Sequence, residues 1–356
     1  MVTLYITIGI LSLITLYLLF RVLTLTEVLK KEYRQRVDNF NKINAFLFPV
    51  FFIILFGCIW YFSPILAKSF LPESASEHGV VTDRLFWSNI VIICIASFIT
   101  HILLFYFPYK YQFNEKRRAN FYPENHKLEY IWTIIPAIVL SILIFTGWRS
   151  WSKITSDPPK DAVVLEIMGK QFAWQVRYPG KDGKLGTYNF RKIKAGNDFG
   201  MDLEDKDNFD NFIPTEIHIP KGKPVVFKIR ARDVLHSVFL PHFRQKMDAV
   251  PGMPTSFWIV PKYTTAEMRE ITGNPDFKYE LACTEICGRG HFAMRFLVVV
   301  DEPEEFEKWY NEQESWLVQN PDLIEEIKPE LRKFIPGYGI DKNTTNINEN
   351  EVVAKL

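Results

Sequence analysis

The chain has 356 residues, with 42 Lys and Arg against 41 Asp and Glu and a net charge of +1, so it presents no basic field for nucleic acid. Its 48% hydrophobic and 15% aromatic content is uneven: the first 150 residues are far more apolar than the rest, which argues for a membrane half followed by a soluble half. Of its four cysteines, Cys58 and Cys94 lie inside apolar runs and read as buried, inert thiols, which leaves no spare pair for a disulfide framework.

Four apolar stretches, at residues 4–20, 45–67, 88–107 and 131–148, are each near the ~20 residues that cross a hydrocarbon core. The first reads as a retained span, with a cleaved signal peptide as the alternative, because it lacks a basic amino-terminal region and a small-x-small cleavage site. The first loop is basic (Arg21, Lys30, Lys31, Arg34, Arg36, Lys42) and the second is acidic (Glu73, Glu77 and Asp83 against Lys68 and Arg84). The third is basic again (Lys110, Lys116, Arg117, Arg118, Lys127). Positive-inside ordering then predicts both termini outside, with everything after the fourth span on the outer face. Glu129 opens that span in Glu129-Tyr130-Ile131-Trp132-Thr133, where an acid complements the positive helix end. Pro136 lies within it, which packed membrane helices tolerate.

After residue 159 short alternating runs take over, at 163–168, 172–178, 216–219, 224–231, 234–240, 256–260, 279–282 and 292–300. Many short strands divided by Gly and Pro turns predict a β-sandwich or barrel. Residues 181–212 form a polar insertion whose second half, 198–210, is acidic and reads as a solvated loop. His218 and His242 read as ordinary, partly exposed histidines. Residues 301–309 open a helix with Pro303 and acids in its first turn. The polar tail beyond residue 320 is expected to be loose or a partner contact.

The densest chemistry lies between those last strands, in Cys283-Thr284-Glu285-Ile286-Cys287-Gly288-Arg289-Gly290-His291-Phe292-Ala293-Met294. Two thiols, an imidazole and a thioether are the soft donor set of copper. The spacing Cys-x3-Cys-x3-His-x2-Met differs from Cys-x2-Cys zinc knuckles and from a blue-copper site, which uses one Cys. Two thiolates so close can bridge two copper ions. A disulfide is the plainer alternative for an outward-facing Cys pair, and zinc a weaker one, since Met is a poor zinc ligand.

This run resembles the dinuclear copper A loop of subunit II of the haem-copper cytochrome c oxidases, and Asp233-Val234-Leu235-His236-Ser237 resembles the strand carrying that family's second imidazole. The resemblance implies that Cys283 and Cys287 bridge two copper ions, with His236, His291 and Met294 as terminal ligands and the Glu285 carbonyl as a further one. It also implies that the Glu285 carboxylate helps hold magnesium shared with subunit I. The nitrous oxide reductase loop is similar but carries an aromatic where Glu285 stands. Residues 129–133 resemble the family's Glu-x-Ile-Trp-Thr run, which implies that Glu129 lies at the mouth of the proton channel into subunit I. Gly169-Lys170-Gln171-Phe172-Ala173-Trp174 resembles Gly-x-Gln-Trp-x-Trp, whose first Trp accepts the electron in the family. Phe172 stands at that position and lacks the indole, which leaves Trp174 as the better relay. Residues 246–252 resemble the Lys-x-Asp-Ala-x-Pro-Gly turn, placing Lys246 and Asp248 in a polar network between the copper loop and subunit I. The acidic stretch 198–210 gains a second reading as a docking face for a basic cytochrome c.

The implied fold is membrane-anchored α plus all-β: transmembrane helices followed by a cupredoxin-like Greek-key β-sandwich. The expected divisions are an additional two-helix region at 1–68, a helix hairpin at 86–150, a periplasmic copper A domain at 160–302, and a C-terminal helix with polar tail at 303–356. The implied function is that of a cytochrome c oxidase subunit, multi-pass in a bacterial inner membrane. Its partners would be subunit I, other oxidase subunits, and cytochrome c or a cytochrome-bearing quinol-oxidising complex. No Cys-x-x-Cys-His run occurs, so no haem is expected on this chain. Two other classes remain: a copper-delivering assembly factor, which needs neither Glu129 nor Glu285, and a quinol oxidase subunit, which lacks the copper ligands.

Overall fold

The computed structural model describes residues 2–28, 33–67, 70–114 and 116–338. The chain divides into two compact units, one of Met1–Leu71 with Ser88–Val139, the other of Pro72–Trp87 with Leu140–Leu356. Four helices come first: α1 (Val2–Val28), α2 (Tyr33–Ala67), α3 (Glu77–Lys110) and α4 (His126–Thr155). Among the described residues, Asn39–Ala67 within α2, all of α3 and all of α4 are long and apolar enough to cross a membrane. For α1 the described side chains give a shorter apolar run, Leu11–Leu25, and part of the expected first span lies outside them. In the helical unit α2 and α3 meet through aromatic rings, with Phe56 and Phe98 edge to face at 5.3 Å. Cys58 and Cys94 correct one expectation, because both are exposed rather than buried. Their helices turn nearly every apolar residue outward, so an apolar run here marks a face for lipid or another subunit, not a core of this chain.

The second unit is a sandwich of two sheets. Strands β1 (Val163–Lys170), β2 (Ala173–Arg177), β3 (Ile217–Pro220), β4 (Val225–Ala231), β5 (His236–Leu240), β6 (Gln245–Ala249), β7 (Thr255–Ile259), β8 (Tyr279–Cys283) and β9 (Arg295–Asp301) supply them. One sheet runs β2-β1-β4-β7 and the other β3-β9-β8-β5-β6. Alternation drives the assembly: along β8, Tyr279, Leu281 and Cys283 are buried while Glu280 and Ala282 are only half so. Leu165, Ile167, Val225, Phe227, Val238, Leu240, Leu281 and Val298 fill the space between the sheets, and Cys283, Cys287 and Met294 are continuous with that core. This is the cupredoxin-like arrangement expected. Strand β6 and the short helix α5 (Thr265–Thr272) were not legible as elements. The helix start is nonetheless written in its capping box, where Thr264 and Glu267 each accept from the other's backbone N–H.

The segment before α3 belongs to this unit too. Ser76 bridges Pro261, the Ala75 N–H donates to the His242 carbonyl at 2.7 Å, and the Ser76 hydroxyl donates to the Phe243 carbonyl at 2.8 Å. Arg244 forks onto Asp83 at 2.6 and 3.0 Å. A loop by composition is thus sewn to the sandwich by backbone pairing, which carries no sequence signature.

Two further expectations are corrected here. The insertion is a folded cap rather than a solvated loop: Phe199, Met201 and Phe209 bury against Trp316, Leu317, Leu323, Ile327 and Ile335. That packing also orders the tail as far as Tyr338, through α7 (Trp316–Gln319) and the turns that follow, while residues 339–356 lie outside the described ones. Three acids of the insertion are paired within the chain, Asp198 with Lys170 and Arg232, Asp202 with Lys192, and Glu204 with Lys328.

His218 is also less ordinary than its sequence suggests. It stacks at 4.1 Å on Trp309 of α6 (Pro303–Asn311) and bonds Asp301 at 2.6 Å and Glu216 at 2.9 Å. Burial opposes its charge, but the two carboxylates outweigh it and raise its pKa above the usual histidine value. A raised folded value means that its stabilisation is complete below the unfolded pKa of about 6.5 and is lost as pH rises through the folded value. Thermal unfolding of the full chain followed from pH 6 upward is therefore expected to lose midpoint faster than in a His218→Gln variant. Parallel curves would refute the assignment.

Candidate metal centre

The site is built from the ends of two neighbouring strands and the turn that follows one of them. In β5 and β8 Val238 stands opposite Cys283, so His236, two residues earlier on the same face, projects beyond the end of β8 beside the Cys283 sulfur. His236 is fully buried, and its Nδ1 lies 3.9 Å from Cys283 Sγ. The chain then turns through residues 284–290. The Cys283 thiol donates to the Glu285 carbonyl at 3.3 Å. A short turn, His291–Ala293, brings His291 Nδ1 to 3.6 Å and Met294 Sδ to 3.8 Å from Cys287 Sγ.

Each thiol therefore has its own imidazole. Among the described residues, donor atoms of His236, Cys283 and Cys287 all lie within 4.8 Å of one another. Two donors about 2.0–2.3 Å from one tetrahedral ion stand roughly 3.3–3.8 Å apart. The separations of Cys287 from His291 and Met294 fall in that spacing, that of Cys283 from His236 is slightly longer, and both cysteines are free thiols. Burial, with the neighbouring Cys283 sulfur adding to it, pushes the Cys287 thiol up to about 11, so a metal must displace a proton to bind there. The donor set, two sulfurs bridging toward two imidazoles with a thioether behind, fits a pair of soft ions better than one zinc.

The surrounding shell is hydrogen-bonded throughout. His236 Nε2 meets Asp233 Oδ1 at 2.8 Å, fixing the ring with Nδ1 toward the sulfurs. Burial would raise the Asp233 carboxyl, but backbone N–H groups of Gln171 and Val234 together with His236 hold it below its usual value. Ser237 donates to Asp248 at 2.7 Å, Lys246 pairs with Asp248 at 2.9 Å, and the Ser237 carbonyl accepts the Thr284 N–H. Lys246 and Asp248 thus form a network attached to the metal loop. Trp174 is 3% exposed, donates Nε1 to the Met294 carbonyl at 3.4 Å, and stands edge-on to His236. Phe172 is 41% exposed above the loop.

His242 packs on Phe277 and Tyr279, apart from any donor cluster. Glu129 belongs to the helical unit, where its carboxylate accepts from the Asn125 N–H at 3.4 Å and meets His126 at 3.1 Å in the first turn of α4. Two residues of the site went unassigned in the sequence, Asp233 and Gln171. Asp233 was findable, three positions before His236; Gln171 was not, because its partner is 116 positions away.

Residues 163–301 match the family profile "Cytochrome C oxidase subunit II, periplasmic domain", and residues 64–149 match "Cytochrome C oxidase subunit II, transmembrane domain". The chain is 33% identical over 261 residues to the alternative cytochrome c oxidase subunit 2 of Bradyrhizobium diazoefficiens, covering 72% of this chain and 85% of that protein. It is 28% identical over 300 residues to cytochrome c oxidase subunit 2 of Thermostichus vulcanus, covering 69% of this chain and 79% of that one. With the haem-copper oxidase subunit 2 of Aeropyrum pernix it shares 26% identity over 204 residues, covering 57% and 69%. A membrane-anchored helical unit, an external sandwich and a soft-donor loop, matched in both halves, place this chain in the subunit II family of haem-copper oxidases.

Proposed function

We propose that this chain is the electron-accepting subunit of a cytochrome c oxidase. It takes electrons singly from a cytochrome c-type donor at a dinuclear copper A centre and passes them to haem in subunit I, where oxygen is reduced to water with proton pumping. The reading is carried by one observation, the pairing of two free thiols with two different imidazoles at 3.9 and 3.6 Å. When bound, the copper pair supplies a one-electron carrier whose charge is shared between two ions. Cys283 and Cys287 hold it through sulfur; His236, His291, Met294 and the Glu285 carbonyl complete its donors. The strands on which these residues sit keep them in place whichever charge the centre carries, which favours fast transfer.

The remaining residues move charge to and from that core. Phe172 forms the outer surface above the loop, and Trp174 lies behind His236 as the relay between ring and loop. The half-buried Glu285 offers carboxylate oxygen, a hard donor suited to magnesium, with the other ligands supplied by subunit I. Lys246 and Asp248 orient that edge through Ser237. Glu129 takes up protons on the inner face. The loop charges support placing the copper domain on the outer face, which in a bacterial inner membrane is the periplasmic side.

Copper analysis of the purified chain with its visible spectrum tests the core of this reading. Two coppers and a purple absorbance are expected; one copper with a single blue band would overturn it. Glu129→Gln is expected to slow oxygen reduction by about tenfold or more, the scale of a lost proton-transfer group, while leaving that absorbance intact. Unchanged turnover would assign Glu129 to helix capping alone.

A further inference from the structure

The turn between β1 and β2, Gln171 and Phe172, lies on the metal loop but supplies no donor to it. Its contacts are specific. The Gln171 N–H donates to Asp233 Oδ2 at 2.7 Å, and its side-chain Nε2 donates to the Cys287 carbonyl at 2.5 Å. Asp233 in turn holds His236 through its other oxygen at 2.8 Å. A continuous line of three hydrogen bonds thus runs from His236 through Asp233 and Gln171 to Cys287. It joins the two ligand-bearing segments of the chain without using a sulfur or a metal-facing nitrogen. The Phe172 ring covers the same loop where it has no side chains. A Cβ added at Gly290 would stand 2.5 Å from the Phe172 ring, and one at Gly288 3.0 Å from it. Gly288 also holds φ at 129°, a conformation side chains rarely adopt.

We infer that this turn is a clasp: Gln171 is a positioning residue that holds the Cys287 backbone in register with His236, and Phe172 closes the glycine face of the loop against water. The two thiols are then pre-arranged and shielded before any metal arrives. This rests on the proposed copper function for its purpose, but the clasp is a property of the metal-free chain. Without it the loop would be held only at its ends, by β8 and β9 and by the bonds of Thr284 to Ser237 and of Trp174 to the Met294 carbonyl, and the buried thiols would be reached whenever its middle opened.

Alkylation of the metal-free full chain, kept reduced in detergent, tests the clasp. Iodoacetamide is the probe, and peptide mass mapping reads Cys283 and Cys287 separately from Cys58 and Cys94. In the native chain both loop thiols are expected to react far more slowly than in the unfolded chain. Gln171→Met removes the donor at nearly constant volume and is expected to speed Cys287 alkylation about tenfold, the factor that one lost hydrogen bond yields. Phe172→Ala should speed it at least as much, whereas Phe172→Trp, which keeps a ring over the glycines, should restore native protection. Native-rate alkylation in both Gln171→Met and Phe172→Ala would overturn the inference. Hydrogen exchange of the β4 and β8 amides monitors the fold; should Gln171→Met lose it, the Phe172 pair decides alone. The two proposals fail separately. Freely reactive thiols in a chain with a normal purple centre would sink the clasp and spare the function. Shielded thiols in a chain that never binds a copper pair would do the reverse.

Discussion

Replacing Cys287 with serine is expected to abolish the purple absorbance and to cut electron transfer from a cytochrome donor by more than about 100-fold. Changes to groups that only support metal ligands already cost about 10–100-fold, and this one removes a donor. The Cys287 sulfur stands within 3.6 Å of His291 Nδ1 and 3.8 Å of Met294 Sδ, so its loss also orphans two other donors. A serine oxygen is hard where copper prefers sulfur, and it keeps its proton. The substitution is nearly isosteric, so the sandwich should remain folded, which circular dichroism and copper content on one sample would check. Retention of two coppers with the native absorbance would remove Cys287 from the centre. Met294→Leu should differ in kind, keeping the copper pair and shifting only its potential.

Arg177→Ala is expected to destabilise the external unit by about 3–5 kcal/mol, the usual penalty for removing one partner of a buried ion pair. Arg177 is 1% exposed. It bonds Glu166 at 2.8 Å, Asn208 at 2.7 Å and the Gly186 carbonyl at 3.1 Å. Glu166 also pairs with Arg230 at 2.9 Å, so one buried carboxylate holds two guanidinium groups. Truncation leaves Glu166 short of a partner and detaches β2 from the insertion. Arg177→Met should be milder because it keeps the buried volume, whereas Glu166→Gln should cost more because it leaves two buried guanidinium groups without their carboxylate. Denaturant unfolding of the full chain, read by tryptophan fluorescence, distinguishes the two. Equal midpoints for Arg177→Ala and native protein would show that the network contributes little. The consequence for function is indirect: β1 and β2 carry the turn that rests on the metal loop.

Much of the site was readable because it is local. Four side-chain donors fall within twelve consecutive residues, and a turn between two strands can only gather them. Three of the four expected spans were equally plain, since a membrane core selects length and apolarity together, properties of a single segment. The errors share one cause. Cys58 and Cys94 were judged by their neighbours in sequence, whereas burial depends on what a helix faces. The insertion was judged by its charge, whereas Phe199, Met201 and Phe209 find partners more than a hundred residues later in Trp316, Leu317 and Leu323.

Sequence alone determined the donor types, their spacing, the apolar spans and the alternation of the strands, because each follows from residues adjacent along the chain. Tertiary structure decided which imidazole meets which sulfur, that Gln171 bonds Cys287, that Asp83 receives Arg244, and that the tail packs on the insertion. These contacts join segments far apart in the chain, and only strand register and the packing of two cores bring their atoms within bonding distance.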